Sequence, residues 1–332
     1  MTPVQMTPDD ARALVMQIFM AHGMPEASAR PAAQALVLAE QEGLSSHGLA
    51  RVPFYAAQMR TGKVVADATP MLERDGAVIR VDAGFGLAFA AIDAAAQAAH
   101  DVARALGVAV VSVTRSHHFG VAGQAVEPFA RQGLIALALA NAPAAMAPWG
   151  GSRALYGTNP IAFAAPRESG DPLLIDLSLS HVARGKVMLA QKAGKPIPEG
   201  WALDAEGQPT TDADAAMAGT MLPAGGAKGA ALALMVELLT AGLAGANFAY
   251  QASSLFDDKG PAPNLAHFIL VLDPARFAPG FTERAEALFA AIEAQEGARL
   301  PGARRMAERG RRAEGFDIPQ PLHDTLTGLA RG

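Results

Sequence analysis

Apolar positions recur along the chain first at helical and then at strand spacing. Leu14, Val15, Ile18 and Phe19 repeat at helical intervals. They follow Thr7-Pro8-Asp9-Asp10, which supplies an N-cap, a proline at the first helical position and acids in the first turn. Gly23 stops that helix. A second is predicted from Pro25 to Glu42, closed by Gly43. A third is predicted after the Ser45-Ser46-His47-Gly48 turn, through Tyr55 and Met59 to Gly62. Near residue 77 the texture changes. Val78–Val81 reads as a strand, Leu87–Leu106 as a long alanine-rich helix, and the β-branched run Val108–Val113 as a buried strand. A short helix over about Gln124–Gln132 precedes a strand at Leu134–Ala140, and Pro160–Ala165 and Leu173–Leu177 read as two more strands. Lys228–Leu243 is a long apolar helix, Phe268–Leu272 a strand closed by Asp273-Pro274, and Thr282–Gln295 an amphipathic helix. The polar, proline-bearing stretch Phe256–Asn264 reads as a surface loop over a site. Alternating strands and helices place the chain in the α/β (α+β) class.

Composition narrows the possibilities. The chain has 332 residues, 51% of them hydrophobic, beyond the roughly 250–300 residues at which one core tends to split. Two packed units without a flexible linker are therefore expected. The absence of cysteine excludes disulfides, thiolate metal sites and cysteine nucleophiles, and fits a reducing compartment. Net charge is −5. The one basic cluster, Arg304, Arg305, Arg309, Arg311 and Arg312, is interleaved with Glu308 and Glu314 and reads as a solvated helix face, so no nucleic-acid partner is expected. The first residues lack a basic stretch followed by an apolar one, so no signal peptide is expected. Leu232–Leu243 is too short for a membrane span and carries Glu237, so it reads as a buried helix. A cytoplasmic chain without membrane contact is the expectation.

Three local signals resemble motifs. Gly84-Phe85-Gly86 has the strand-to-helix context of a dinucleotide fingerprint, but the third position is Phe89, so a tight turn is predicted. Gly225-Gly226-Ala227-Lys228-Gly229 lacks the remaining Walker A residues. A glycine pair and a lysine at the mouth of a helix still offer an anion site, with plain turn chemistry as the alternative. His117 and His118 are adjacent, an arrangement that seldom serves one ion, and no acidic cluster accompanies them. No metal is expected.

Ser45-Ser46-His47-Gly48-Leu49-Ala50-Arg51 carries the most chemistry. His47 titrates near neutral pH, and Arg51 lies four residues on, sharing its face if the segment is helical. Hydride reduction of a C=O or C=N bond needs a proton donor at the heteroatom, and a guanidinium orients a substrate carboxylate bidentately. On this segment alone a structural His–Arg pair remains open.

Seven ordered segments go further: Ser46-His47-Gly48, Arg51-Val52-Pro53, Ser116-His117-His118-Phe119-Gly120, Tyr156-Gly157-Thr158-Asn159-Pro160, Asp176-Leu177-Ser178, Lys228-Gly229 and Leu300-Pro301-Gly302. Together they resemble the malate/L-lactate dehydrogenase family across the whole chain. The segments Val126-Glu127-Pro128-Phe129-Ala130, Met235-Val236-Glu237-Leu238-Leu239 and Gly245-Ala246-Asn247-Phe248 look nearest to its Δ1-piperideine-2-carboxylate/Δ1-pyrroline-2-carboxylate reductases. The resemblance implies a non-Rossmann NAD(P)-binding sheet flanked by helices, residues 77–274, inserted into a helical unit of residues 1–76 plus 275–332. It implies a homodimer whose site uses both subunits. Ser46 and His47 take the catalytic positions, and Arg51, His118 and Thr158 the substrate contacts. Cofactor contacts fall on His118, Phe119, Gly120, Val121, Ala122, Asp176, Leu177, Ser178, Lys186, Lys228, Gly229, Arg304, Arg305 and Glu308.

The cofactor expected is NADPH, with Arg304 and Arg305 as candidate cations at the ribose phosphate and NADH as the alternative. The expected substrate is a small cyclic 2-imino acid reduced to L-pipecolate or L-proline. A malate- or lactate-type 2-hydroxy acid dehydrogenase is the alternative, and an inactive dinucleotide-binding protein a remote one. One departure separates these readings. Some ketimine reductases complete a Ser-His-Asp relay with an Asp where this chain has Lys186.

Overall fold

The computed structural model describes residues 3–331. A short strand β1 (Val4–Met6) leads to helices α1 (Pro8–Ala21) and α2 (Glu26–Gln41), and two 3-10 turns, Ser45–His47 and Leu49–Arg51, enter α3 (Val52–Thr61). Then come β2 (Met71–Asp75), β3 (Val78–Asp82), α4 (Ala88–Leu106), β4 (Val108–Ser116), α5 (Ala122–Arg131), β5 (Ile135–Ala140), β6 (Ile161–Ala165) and β7 (Leu173–Leu177). An excursion follows through α6 (Arg184–Lys192), β8 (Ala202–Leu203), β9 (Pro209–Thr210), α7 (Ala213–Ala218) and β10 (Thr220–Met221). Helix α8 (Ala227–Glu237) runs on as a π-helical turn, Leu238–Gly242, before β11 (Leu265–Leu272), α9 (Phe281–Glu293), α10 (Ala303–Arg311), β12 (Phe316–Ile318) and α11 (Gln320–Ala330).

A seven-stranded sheet in the order β2-β3-β4-β11-β5-β6-β7 organises the chain. Only β3 and β4 pair in parallel, and α4 makes the crossover that a parallel pair requires. On one face, Ala91, Ala95, Ala99 and Val102 of α4 meet Ile79, Val81, Val111, Val113, Ile269 and Val271. The alanines let the helix lie close to the β-branched face. On the other face, Leu137, Leu139, Ile161 and Phe268 pack towards Ala233 and Val236 of α8. A third cluster joins α1, α2 and α3 to β12 and α11, through Ile18, Phe19, Leu36, Tyr55, Phe316 and Leu326. Pairing of Val4 with Ile318 and of Met6 with Phe316 ties the two chain ends together.

Thr7 caps α1 as expected, accepting from the Asp10 amide. Gly84-Phe85-Gly86 is a tight turn, with Gly84 at φ 59° and Phe85 at φ 64°. Several elements left no readable pattern. The five residues of β2 are all exposed, so no buried face alternates there, and β1, β8, β9, β10 and β12 are two or three residues long. α6, α7 and α11 also went unpredicted. Two expectations are corrected. The Lys228–Leu243 helix is not buried all round, since Leu232, Leu234, Met235, Leu238 and Leu243 are exposed. The arginines of α10 are not simply a solvated face. Arg309 bonds both Glu42 and Glu127, whose side chains are 0% and 6% exposed. Arg312 donates to the Glu40 carbonyl at 2.9 Å, and Arg305 pairs with Asp176 at 2.8 Å. Arg304 and Arg311 do point to solvent.

Burial raises the Glu42 carboxyl above its usual range despite Arg309. Burial also opposes ionisation of Glu127, but Arg309 and Arg131 hold its carboxyl low. Removing Arg309 strands Glu42 and leaves Glu127 with Arg131 as its ion-pair partner. Arg309→Met is expected to cost about 3–5 kcal/mol of stability at neutral pH, read from urea unfolding. Adding Glu42→Gln and Glu127→Gln should recover part of the loss, and a loss below about 1 kcal/mol would show that the network holds α10 only weakly.

Candidate active site

Sheet topology delivers the predicted residues to one edge. Ser116, at the end of β4, lies opposite Leu265, and Ala140, at the end of β5, opposite His267. Ile161, at the start of β6, faces both Leu139 and Leu177. The loops holding His117–Val121, Asn141–Asn159, Ser178–Ala183 and Ser253–Asn264 therefore leave from the same edge.

His47 and Arg51 arrive from the helical side. Their segment is not one helix, because Gly48 (φ −97°, ψ −138°) separates the two 3-10 turns. The two side chains are linked through Ser46 instead. Its Oγ lies 3.0 Å from His47 Nδ1, and its carbonyl accepts from Arg51 Nε at 2.8 Å. Buried Glu40 shapes the break by accepting from the Leu49 amide at 2.8 Å. A Cβ at Gly48 would come within 2.4 Å of Glu40 Oε1, so only glycine fits there.

Arg51 is 7% exposed and has no acid partner among the described residues. Its guanidinium lies 4.6 Å from the centre of the Phe256 ring, and its Nη1 is buried without a hydrogen bond. Burial lowers its proton affinity. An unpaired guanidinium nitrogen is costly to bury, and a carboxylate is its natural complement.

His118 stacks on His47 with ring centres 5.5 Å apart, and its Nδ1 lies 2.6 Å from Tyr55 Oη. Burial holds the Tyr55 phenol above its ordinary value and so protonated. Burial, and secondly Arg51, bring His47 down to about 4. Asp176 works in the other direction, and Arg305 adds to the depression. His118 falls well below its ordinary value from burial and the same guanidinium. Both imidazoles are neutral at pH 7. If His47 Nδ1 donates to Ser46 Oγ, Nε2 presents a free lone pair.

The remaining predicted residues fall into two groups. Asp176 Oδ2 accepts from the Gly123 amide at 2.9 Å and from Arg305 Nη1 at 2.8 Å, joining β7, the start of α5 and α10. A Cβ at Gly123 would sit 2.5 Å from Arg305 Nη1. The Ser178 hydroxyl lies 3.1 Å from that of Ser180. The segment after Ser178 is bonded to Thr158 and to the approach to α8 (Leu179 N to Thr158 O, 2.8 Å; Ala224 N to Leu179 O, 2.8 Å). This brings the backbone around Ser178 close to Thr158 and to the approach to α8, while the Asp176 side chain is held by α5 and α10. Lys228 is exposed at the start of α8, which has no side-chain cap.

The second group stands apart or turns inward. Phe119 stacks on buried His267 at 4.6 Å, and Phe119, Val121 and Ala122 are core side chains. Gly120 (φ 76°) is in the left-handed region. Leu177 and Arg304 are exposed, and Glu308 pairs with Arg311 and Arg312. Lys186 is exposed on α6, and the charges that act on His47 are Arg51, Asp176 and Arg305 instead. Among the described residues, no three His, Asp or Glu side chains form a group able to hold a metal ion.

Sequence reasoning missed four contributors. Tyr55 reads as a core position of α3, Phe256 as loop, and Lys63 as the residue after a helix stop. Glu237 reads as a stray charge, yet it accepts from Asn159 at 2.8 Å and from the Ala249 amide at 3.0 Å, and so fixes the loop that carries Thr158. The reading of Phe256–Asn264 as a loop over a site hinted at Phe256, and the helical spacing of Arg51 and Tyr55 at Tyr55.

A family model described as malate/L-lactate dehydrogenase matches residues 6–327. The (2R)-3-sulfolactate dehydrogenase (NADP(+)) of Chromohalobacter salexigens is 60% identical over 97% of this chain and 96% of its own length. The Δ1-pyrroline-2-carboxylate/Δ1-piperideine-2-carboxylate reductase of Pseudomonas aeruginosa is 41% identical over 98% of this chain and 99% of its own. The solved structure of Δ1-piperideine-2-carboxylate reductase from Pseudomonas syringae pv. tomato superposes with a TM-score of 0.92 at 38% identity, covering 98% of this chain and 99% of that one.

Beneath the site, burial brings His117 and His267 to about 3, from an ordinary 6.5. Between those values the unfolded chain holds more protons than the folded one, so stability falls as pH falls below 6.5. Each buried imidazole contributes a slope of about 1.4 kcal/mol per pH unit. Urea midpoints measured from pH 7 to pH 5 are expected to drop steeply, and His117→Phe should flatten the drop. An unchanged slope in that variant would mean His117 is not held neutral.

Proposed function

The chain belongs to the malate/L-lactate dehydrogenase family and is an NAD(P)-dependent oxidoreductase; we propose that it interconverts a small 2-hydroxy acid and the matching 2-oxo acid. The observation that carries this reading is the buried, unpaired Nη1 of Arg51 beside a neutral His47. A substrate carboxylate completes Arg51. His47 Nε2 then takes the hydroxyl proton during oxidation and returns it to the carbonyl oxygen during reduction. Binding tunes this step, because an anion on Arg51 offsets one of the two cations that depress His47, and its proton affinity rises as substrate arrives. Holding the acid in place supplies further rate through orientation. Ser46 and His118 keep the His47 ring in position, and Thr158 lines the same end of the sheet.

The donors present fit a dinucleotide. Lys228 and the uncapped amides that open α8 suit a diphosphate, and Ser178 lies nearby. Asp176 Oδ1 makes no hydrogen bond among the described residues, which leaves it open to a ribose hydroxyl. Arg304, exposed and without an ion pair among the described residues, suits a 2′-phosphate, in favour of NADP(H). A bound nicotinamide would supply the hydride acceptor or donor for carbon 2 of the acid.

Identity of 60% to a sulfolactate dehydrogenase supports an acid with a second anionic group. Half-buried Arg184 has no acid partner among the described residues, and its guanidinium makes one hydrogen bond there, to the Ala144 carbonyl at 3.4 Å. It is the cation offered to that second group. The cyclic 2-imino acid reading keeps support from the relative at 41% identity and the superposition at 0.92. In that case the same proton exchange ends on the ring nitrogen. A homodimer is part of the proposal. The exposed Leu232, Met235, Leu238 and Leu243 form an apolar face on α8 and its π-helical turn, of the kind a partner covers.

Side-by-side assays of sulfolactate, malate, lactate and Δ1-piperideine-2-carboxylate with both dinucleotides are expected to favour a dianionic hydroxy acid and NADP(H). Preference for the cyclic imine would transfer the assignment. His47→Ala should lower kcat by roughly 10²–10⁴ with unchanged dinucleotide affinity, and wild-type turnover would remove His47 from this role. Leu238→Glu should shift the sedimenting species to a monomer, and an unchanged mass would place any dimer contact elsewhere.

A further inference from the structure

The Lys63 ammonium is completely enclosed, with a side-chain exposure of 0%. It follows α3 directly, after Gly62 (φ 76°) turns the chain back. Its three N–H donors meet the carbonyls of Ser254 at 2.6 Å, Lys259 at 2.7 Å and Asp257 at 3.1 Å, and Asp257 Oδ1 lies at 3.3 Å. Two other side chains of α3 fasten the same loop. Gln58 donates to the Asp257 carbonyl at 2.8 Å, and Thr61 to the Asp258 carbonyl at 3.1 Å. A buried cation is costly unless its donors are all met. Three carbonyls turned towards one point would repel each other without it. The ammonium and the loop therefore define each other's positions.

Phe256 sits within this loop. Its ring covers the Arg51 guanidinium and meets Phe54 edge-on, with ring centres 6.3 Å apart. One face of Arg51 is thereby shielded from water. Nε is taken by Ser46, and Nη1 is left free. We propose that Lys63 is a positioning residue for substrate binding: it moulds the 253–261 loop so that Phe256 caps Arg51 and leaves one guanidinium edge, desolvated and aimed, for the substrate carboxylate. Lys63 touches neither substrate nor dinucleotide. It acts through the loop backbone, then Phe256, then Arg51. This rests on the reading of Arg51 as the carboxylate partner.

A purely structural staple would lower stability or kcat without preference, whereas a moulded carboxylate site affects acid binding selectively. Oxalate is the probe, titrated calorimetrically into the full-length protein with NADPH. Lys63→Met and Phe256→Ala should each weaken oxalate binding about tenfold, the size expected of a cation–π contact held out of water. NADPH affinity should be unchanged. KM for the best acid in the panel should rise in parallel, with kcat within about threefold of wild type. Arg51→Met is the reference. If it weakens oxalate binding and the other two variants do not, the role of Lys63 is overturned while the Arg51 reading stands. If Arg51→Met binds oxalate like wild type, that reading fails first. Phe256 is partly exposed and outside the core, so Phe256→Ala decides the outcome should Lys63→Met fail to fold.

Discussion

One buried cation with no counter-ion among the described residues governs this site. Arg51 is enclosed, bonded through Nε to a carbonyl, capped by an aromatic ring and left with its buried Nη1 unmet. Charge in that position costs free energy in the free protein, and its field spreads to its neighbours. It helps hold His47 and His118 neutral, and it tempers the phenol of Tyr55. The protonation of His47 is thus coupled to whether an anion sits on the guanidinium. An anion fills the gap, removes the repulsion and raises the proton affinity of His47 in the same event.

The surroundings keep that charge in place. Glu40 bonds the backbone at the turn between His47 and Arg51, and only glycine at position 48 admits it. α3 follows Arg51, presents Tyr55 to His118 from its first turn, and is followed after Gly62 by the lysine that holds the covering loop. On the other side, α10 is fastened by Arg305 to Asp176 and by Arg309 to Glu42 and Glu127. Asp176 thereby joins β7 to the start of α5 and opposes the cations around His47. β7, α5, α10 and His47 are electrostatically coupled in this way, though they come from distant parts of the chain.

The mixed sheet makes this convergence possible. Mostly antiparallel pairing sends the ends of β4, β5 and β7 and the starts of β6 and β11 to one edge, and the loops that leave it face the helical layer carrying His47. Glu237 extends the same logic within α8, where a buried carboxylate bonds Asn159 and Ala249 and sets the path of the loop around Thr158.

Local sequence alone determined the helix boundaries of α1 and α2, the strands with buried alternating faces, the failed glycine fingerprint, and the pairing of a titrating imidazole with a nearby guanidinium. Each of these depends on neighbours within a few residues. Tertiary structure decided the rest. It turned the α10 arginines from a solvated face into ion pairs and exposed one side of the α8 helix. It split the presumed His–Arg helix at Gly48, set Asp176 and Arg305 among the charges acting on His47, and enclosed Lys63 among carbonyls almost two hundred positions away in the chain. The physical reason is that desolvation and Coulomb energy depend on what surrounds a charge in space, and no periodicity along the chain encodes which distant carbonyl or carboxylate will be there.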